Sequence, residues 1–439
     1  MVKKILTVIL LASLSVSLVA CASNGNAPKD EVTPVKAGDE NSEVVNINFW
    51  DMVWGPATYQ ETALKLVEQF NEEHPNIQVK YQSTPWSNWY QTFASAIASG
   101  TQPDISTGAG YQAFQFTDQD AILPIDDVIE ELAAEGKLDD FVPGSIDALK
   151  YNGHYVALPW QVDIRVPWYR KDLFEQAGIT TLPTNWDELR ADLKMLSTNG
   201  NYGLALPGND NLGIQGMFTM MLNNGGGIFD SNKKVDVMNE LNKQALQFLS
   251  DLAKDGSINP AMLGFNDDSA MRDFGTGRAA VYFHGLALPG QFPDMQDKIG
   301  VLDPLASPNG DKATLGWVNN IMIYKGTKHP EETKVFLKWW SENNKALFTE
   351  GRAGAFPARV SFTQDPFYQN NENLKLITEK YLPIMKTTGS KAAGGFPQLN
   401  EIEGDGSSKN IIAQVIAKKP VDDAMIEMER SFKKIMKEQ

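Results

Sequence analysis

The stretch ALPWQVDIRVPWYRKDLFEQAGI, residues 157–179, marks the point where one pattern of secondary structure gives way to another. Residues 151–159, YNGHYVALP, indicate a hairpin turn that feeds a strand. Residues 166–179 then predict a second strand that leads into a helix. Between them, Asp163 and Arg165 stand two residues apart, and therefore on the same side of an extended chain.

The part of the chain before this stretch alternates strands and helices. VVNINFW (44–50) and IQVKY (77–81) alternate apolar and polar residues, and PDISTGAG (103–110) predicts a short strand that runs into a loop. The first intervening helix is expected to begin with a capping box formed by Thr58 and Glu61. Its buried apolar face is expected to consist of Ala63, Leu64, Val67 and Phe70. The second is expected to end at Gly100 and to carry Trp86, Trp89, Phe93 and Ile97 on one face. This order predicts an α/β domain with a largely parallel sheet.

The part after residue 179 contains further helices. Thr184 is the expected N-cap of one of them, with Asp187 and Glu188 in the first turn, where acidic side chains are favourable. The periodicity predicts helices over 238–255 and 330–349 and from about Val421 to the end. Trp89, Trp339 and Trp340 have the spacing of core residues.

The first 43 residues have the composition of an export segment and a tether. Residues 1–20 combine a basic start with an apolar run of about 16 residues, which is shorter than the roughly 20 of a spanning helix. Leu18-Val19-Ala20-Cys21 resembles a bacterial lipobox, which implies cleavage before Cys21 and a lipid on its thiol. Residues 21–43 are then the lipidated Cys and a tether, because so few large apolar side chains cannot offset the entropy of ordering.

Composition and motifs exclude several classes of protein. A formal net charge of -16 disfavours nucleic acid as a partner. The single cysteine excludes an intramolecular disulfide framework, and the four histidines lack metal-ligand spacing, so we expect neither a metal site nor a cofactor. Residues 275–280 fit a loose GxGxxA, but the glycines precede a strand, whereas a dinucleotide loop follows one. No GxSxG motif supports a serine hydrolase.

Several segments, by their order and spacing together, resemble those of one family. The chain resembles the extracellular solute-binding proteins of carbohydrate ABC importers, in the same broad group as the maltose-binding proteins. The resemblance covers most of residues 44–439. It is carried by FNEEHPNIQV (70–79), by the pattern from Trp86 to Pro103-Asp104, by ALPWQVDIRVPWYRKDLFEQAGI (157–179), LPTNWDEL (182–189), NNGGGIFD (223–230), FGTGRAAVYFHG (274–285), LGWVNNIMI (315–323) and PVDDAM (420–425).

The resemblance implies a fold and a division of the chain. The implied fold is the two-lobed α/β fold of periplasmic binding proteins (type II), with lobes joined by a hinge of several strands. The N-lobe would comprise 44–160 and 321–350, and the C-lobe 161–320 and 351–439. The chain would cross between lobes near 161–166, 315–320 and 351–362.

The resemblance also implies a function and a set of ligand contacts. The protein would be a lipid-anchored monomer on the outer face of a bacterial cell membrane, would bind a sugar by hinge closure, and would deliver it to ABC permease subunits without catalysing a reaction. The implied contacts are Asp163, Arg165, Trp317, Tyr111, His284, Trp50, Trp54, Trp86, Asn319 and Glu403.

The chain departs from the maltose-type proteins at two places. His-Gly-Leu-Ala (284–287) and EIEGDG (401–406) stand where those proteins carry a Trp, so a dextrin preference is not expected.

Three alternatives remain open: an acidic sugar, a ligand that is not a sugar, and an enzyme. Arg165 leaves an acidic sugar open. The same fold could also bind a polyamine or a polyol phosphate, and a cell-surface glycosidase would need two carboxylates spaced across one cleft.

Overall fold

The computed structural model describes residues 44–392, 394–404 and 409–438. The strands, in chain order, are β1 (Val45–Met52), β2 (Ile77–Thr84), β3 (Ile105–Gly108), β4 (Lys150–Tyr151), β5 (His154–Tyr155), β6 (Leu158–Ile164), β7 (Val166–Arg170), β8 (Tyr202–Ala205), β9 (Ala279–His284), β10 (Ile299–Val301), β11 (Thr314–Ile323), β12 (Phe356–Pro357) and β13 (Met385–Lys386).

Helices lie between most of these strands and after the last. They are α1 (Ala57–Glu73), α2 (Trp89–Ser99), α3 (Gln112–Asp118), α4 (Asp126–Ala134), α5 (Lys171–Gln176), α6 (Trp186–Leu196), α7 (Asn211–Asn223), α8 (Glu240–Lys254), α9 (Asp267–Gly275), α10 (Pro330–Asn343), α11 (Lys345–Thr349), α12 (Pro366–Gln369), α13 (Glu372–Leu376), α14 (Pro397–Gly404), α15 (Lys409–Ile416) and α16 (Val421–Met436).

The first sheet has the order β12-β6-β11-β3-β1-β2, with β13 beside β11. β1 pairs in parallel with β2 and β3, as the strand–helix–strand order predicts, whereas β11 runs antiparallel to β3 and β6. Adjacent residues of β1 face opposite layers because strand side chains alternate. Phe49 contacts Phe336 and Trp340 of α10, and Trp50 contacts Phe93 of α2. The sheet therefore lies between helical layers.

The second sheet has the order β10-β7-β9-β8 and mixes parallel and antiparallel pairs. Its strands are almost fully buried, and helices α6, α7 and α9 contact β8 and β9. Two sheets with helical layers confirm the predicted α/β class.

The chain passes from the first sheet to the second at Arg165, which alone separates β6 from β7. β11 runs beside this passage, because Trp317 lies directly opposite Asp163 and the Arg165 amide donates to the Leu315 carbonyl at 2.9 Å. A further contact involves residue 354, whose amide donates to the Trp54 carbonyl at 2.8 Å and whose carbonyl accepts from the Leu286 amide at 3.1 Å. The predicted lobe boundaries and crossings stay a prediction.

Several predicted elements are confirmed, with small differences at their ends. The hairpin at 150–155, helix α8 and helix α16 lie where the patterns predict them. The predicted helix over 330–349 is two helices, α10 and α11, which meet at Asn344. Trp340 is fully buried and Trp89 nearly so, as predicted, whereas Trp339 is partly exposed and donates to Glu73 at 2.6 Å.

Two predicted helix starts are wrong. Helix α1 begins after Pro56 without a side-chain cap, and the Thr58 hydroxyl donates instead to the Gly351 carbonyl. The apolar face of α1 excludes Leu64, which is 40% exposed. Helix α6 is capped by Asn185, which accepts from the Glu188 amide, because Thr184 stands one residue too early and bonds the Glu188 carboxylate.

Candidate ligand-binding site

A cluster of polar and aromatic side chains surrounds Arg165 at the passage between the two sheets. Its guanidinium donates from Nη1 to Asp163 Oδ1 at 2.6 Å and from Nε to Gln215 Oε1 of α7 at 2.7 Å. Its Cζ also lies 4.8 Å from the ring centroid of Trp317, a cation–π arrangement. The structure therefore brings together three of the predicted contacts, Asp163, Arg165 and Trp317.

Glu403 joins this group from α14. The Trp317 indole Nε1 donates to Glu403 Oε2 at 2.8 Å, and the Thr388 hydroxyl donates to the other carboxylate oxygen. The hydroxyls of Thr388 and Tyr111 are 3.1 Å apart, so Tyr111 at the start of α3 reaches the same network. We call Asp163, Arg165, Gln215, Trp317 and Glu403 the Arg165 cluster.

The environment of Glu403 perturbs its ionisation. Burial raises the pKa of the Glu403 carboxyl to about 7, and the hydrogen bonds from Thr388 and Trp317 and the charge of Arg165 only partly oppose this. Burial, with the Glu403 charge, also raises the pKa of the Tyr111 hydroxyl well above its usual range. Near neutral pH the Glu403 carboxyl is therefore divided between its neutral and charged forms.

A second polar group lies at the end of β9. His284 Nε2 is 3.4 Å from Asp267 Oδ1, which also accepts from the Tyr282 hydroxyl at 2.8 Å. Burial opposes ionisation of Asp267, but His284, Tyr282 and the charge of Arg165 together lower the pKa of this carboxyl. The effect of Arg165 on Asp267 connects this group to the Arg165 cluster.

Gly285 keeps the two groups in contact. A Cβ at this position would lie 3.2 Å from Arg165 Nη1 and 3.3 Å from Asp163 Oδ1, tighter than ordinary van der Waals contact. The lack of a side chain therefore lets the strand end approach the ion pair.

Trp54 and Trp86 form an aromatic wall on the first sheet. Their ring centroids are 4.9 Å apart at 86°, and Trp54 also makes an edge contact with Trp160 at 5.4 Å. Trp54 is almost buried, whereas Trp86 is 40% exposed. The Trp54 carbonyl accepts from Gly354, which in turn bonds Leu286, so the wall is linked to the loop that follows His284.

A buried carboxyl, that of Asp51, is connected to the Trp54 indole through Thr107. The indole Nε1 donates to Thr107 Oγ1 at 3.0 Å, and the Thr107 hydroxyl donates to Asp51 Oδ1 at 2.7 Å. Asp51 is fully buried and also accepts from the hydroxyls of Tyr59 at 2.9 Å and Tyr81 at 3.2 Å. This chain of bonds fixes the orientation of the Trp54 ring.

Two other predicted contacts lie apart from these groups. The Trp50 ring packs against Phe93 at 5.5 Å, on the face of the sheet that α2 covers. Asn319 is 4% exposed and lies opposite Gln161, next to an irregularity in the β6–β11 register. Its neighbour Asn320 is the residue that bonds the loop after β3, donating to the Ala109 carbonyl at 3.0 Å.

The sequence analysis missed Gln215, Asp267 and Thr388. Gln215 lies inside a helix and Thr388 in a loop, and neither belongs to a motif with its own chemistry. Asp267 had a usable signal, since it begins the helix that leads into β9 and His284.

A cavity of about 90 Å³ is lined by residues outside these groups, among them Trp168, Leu286, Arg352 and Phe367. The Arg352 guanidinium lies over the Phe367 ring at 4.4 Å. None of the Arg165 cluster lines this cavity.

Cys21, the predicted lipidation site, lies outside the described residues. In the part of the chain that the structure describes, no three His, Cys, Asp or Glu side chains are grouped so that they could hold a metal ion. The described helices include none with the length and apolar character required to cross a membrane.

Comparison with known proteins identifies similar chains over most of this length. The family of bacterial extracellular solute-binding proteins matches residues 56–346, more than half of the 439 residues. The arabinooligosaccharide-binding protein of Bacillus subtilis is 25% identical over 320 residues, which are 69% of this chain and 71% of that protein.

Two solved structures share the fold of this chain. A sugar transporter protein from Arthrobacter chlorophenolicus, solved with bound laminaribiose, is 36% identical with a TM-score of 0.81, and the match covers 89% of this chain and 99% of that one. The maltose-bound MalE3 of T. maritima shares the fold at 21% identity, with a TM-score of 0.76 over 89% of this chain and 100% of that one.

Proposed function

We propose that this chain, which belongs to the family of bacterial extracellular solute-binding proteins, captures a sugar or oligosaccharide for an ABC importer. The observation that carries the proposal is the Arg165 cluster, which gathers a guanidinium, carboxyls, an amide and an indole where the chain passes between the two sheets. The similar Arthrobacter protein holds laminaribiose, so this disaccharide is the first ligand to test.

The chemistry of the cluster suits a saccharide. A sugar presents apolar C–H faces, which pack against aromatic rings, and a rim of hydroxyls, which both donate and accept hydrogen bonds. Trp86, which is 40% exposed and packs against the nearly buried Trp54, supplies aromatic surface, while Asp163, Arg165 and the carboxyl and amide groups near them supply fixed polar partners. Such a mixture of apolar surface with a few placed polar groups is typical of small-molecule sites.

Capture would proceed by closure around the ligand. Arg165 and residue 354 both lie where contacts of the first sheet meet those of the second, so both are placed to respond to a hinge movement. A ligand that contacts both sides only when they are closed stabilises the closed form by that difference in binding free energy. The closed form would then deliver the sugar to the permease, and this chain would catalyse no reaction.

The proposed location is the outer face of the cell membrane. A lipid on Cys21 would attach the chain there, with residues 22–43 as a tether and a monomeric binding domain beyond it. The diacylglyceryl group that a lipobox cysteine receives carries two acyl chains, and two chains support stable attachment to the membrane surface.

A polyamine is the second candidate ligand. The observation in its favour is the excess of carboxyls, since Arg165 pairs with Asp163 and its charge also acts on the carboxyls of Asp267 and Glu403. A polyol phosphate has no comparable support, because its charge has the same sign as these carboxylates.

The deciding experiment is calorimetric titration of the purified full-length protein with laminaribiose, and in parallel with spermidine and sorbitol 6-phosphate. We expect saturable binding of the sugar, which is then recovered unaltered. Binding of spermidine alone would overturn the sugar, and recovery of cleaved sugar would favour a glycosidase.

A matched pair of variants locates the site. Asp163→Ala removes a carboxylate that lies 2.6 Å from Arg165, and Asp255→Ala removes one at the same distance from Arg190, away from the cluster. We expect Asp163→Ala to weaken sugar binding at least ~10-fold, or about 1.4 kcal/mol, with little effect on folding. Equal affinities for the two variants would remove Asp163 from the site.

A further inference from the structure

The positive charge at the candidate site is already engaged by the protein. Arg165 uses Nη1 on Asp163 and Nε on Gln215, and the face of its guanidinium lies against Trp317. The other basic side chain in this group is His284, whose Nε2 is 3.4 Å from Asp267. Arg165 is therefore paired with the Asp163 carboxylate, and the His284 ring lies beside that of Asp267.

Acceptor capacity of the carboxylates remains available. Among the described residues, the hydrogen bonds of Asp163 and Asp267 use Oδ1 in each case and leave Oδ2 without a protein partner. The side chains of Asp163 and Asp267 keep 18% and 30% of their surface exposed, so both can meet a ligand. A free carboxylate oxygen accepts hydrogen bonds only, and therefore favours a ligand that brings hydroxyl donors.

The local charge balance is negative. The charge of Arg165 acts on both the Asp267 and Glu403 carboxyls, and with Asp163 three carboxyls, of which Glu403 is only partly ionised near neutral pH, face this one guanidinium. Asp210 adds a fourth, since its carboxylate accepts from the Asp267 amide at 3.3 Å. A carboxylate or phosphate placed on a sugar would meet like charges in a partly desolvated site, where they are weakly screened.

We infer that the site selects neutral saccharides and rejects their anionic counterparts, with Asp163 and Asp267 as the residues that determine this selectivity. The inference rests on the proposed function and adds the charge class of the ligand to it. It also decides the role of Arg165, which holds Asp163 and Trp317 in place and does not serve as the counter-ion of an acidic sugar.

The test compares sugars that differ only in charge. Laminaribiose, cellobiose and maltose are each titrated into the full-length protein beside the uronic acid counterpart, in which one C6 hydroxymethyl group is a carboxylate. For the disaccharide that binds, we expect the counterpart to bind at least ~10-fold more weakly, because like charges across an interface disfavour association.

A pair of variants on one helix turn assigns this selectivity to Asp267. Asp267→Asn keeps the shape and the Oδ1 acceptor, while the neighbouring Asp268→Asn removes the same charge from an exposed position in the first turn of α9. We expect the ratio of neutral to anionic affinity to fall at least ~3-fold in Asp267→Asn and to stay at the wild-type value in Asp268→Asn.

The outcomes separate the two claims. A uronic acid that binds as tightly as its neutral partner would overturn the inference and leave the proposed function intact. If no member of any pair binds, the proposed function fails and the inference fails with it. A ratio that Asp267→Asn and Asp268→Asn change equally would overturn the assignment to Asp267.

Discussion

The buried carboxyl of Asp51 makes the stability of the protein depend on pH in a direction that can be measured. Asp51 is fully buried, its three hydrogen-bond donors are neutral hydroxyls, and burial raises its pKa from 3.8 to about 7. The hydrogen bonds from Thr107, Tyr59 and Tyr81 lower the pKa but do not compensate for the lost hydration. The folded protein therefore binds this proton more tightly than the unfolded chain does.

The size of the effect follows from the two pKa values. Each pKa unit is worth about 1.4 kcal/mol, so the difference between 3.8 and about 7 corresponds to about 4 kcal/mol of stability. This contribution is complete below the unfolded pKa and is lost as the pH rises through the folded pKa. Between about pH 5 and about pH 8 the loss is about 3 kcal/mol.

Asp51→Asn isolates this contribution, because an amide of the same shape does not titrate. We expect the free energy of unfolding of the wild type, relative to the variant, to fall by about 3 kcal/mol from about pH 5 to about pH 8. At the lower pH the variant should be about 1 kcal/mol less stable than the wild type, since its NH2 group would face the Thr107 hydroxyl.

The assay is urea denaturation followed by both circular dichroism and tryptophan fluorescence, whose agreement checks for a single transition. Asp120→Asn is the control, because the Asp120 side chain is 85% exposed and pairs with Lys325 at the surface. Parallel pH profiles for the wild type and Asp51→Asn would refute the reasoning, and so would an equal change in Asp120→Asn.

Three further predictions concern other parts of the chain. Burial raises the pKa of Glu403 to about 7. The melting temperature of the wild type should therefore fall, relative to that of Glu403→Gln, as the pH rises through about 7. A difference in melting temperature that stays constant with pH would contradict this prediction. Trp340→Ala should lower the free energy of unfolding by about 3–5 kcal/mol, because the fully buried ring packs on Phe49. Trp340→Phe should lower it much less, since the indole N–H has no hydrogen-bond partner among the described residues. Denaturation of both variants measures the difference. Cys21→Ala should release the protein from membrane fractions, and an acyl chain still detected by mass spectrometry would contradict the lipobox.

Much of the fold could be predicted because its elements follow from local patterns. Apolar residues at every second position predicted β1 and β2, and helical spacing predicted α8 and α16, since these periods decide which side chains can be buried together. The errors lie at helix ends, where one position decides which side chain reaches a free amide. Thr184 and Asn185 are both good caps by composition, and only the path of the backbone selects Asn185.

The candidate site could be predicted only in part. Asp163, Arg165, Trp317 and His284 belong to segments that resemble known ones, and the structure places them near one another. Trp50 was assigned by its position near the end of β1, but strand alternation directs its ring toward α2 and Phe93.

The sequence by itself determined the α/β class and the alternation of strands and helices, because both depend on residues within about 20 positions of one another. It also carried the family resemblance, through the order and spacing of short segments along the whole chain. Only the tertiary structure decided which side chains share the site. Arg165 and Gln215, Trp317 and Glu403, and Tyr111 and Thr388 are separated by 50, 86 and 277 positions. Such contacts depend on the order of strands in the two sheets and on the packing of α7 and α14 against them, which no local pattern specifies.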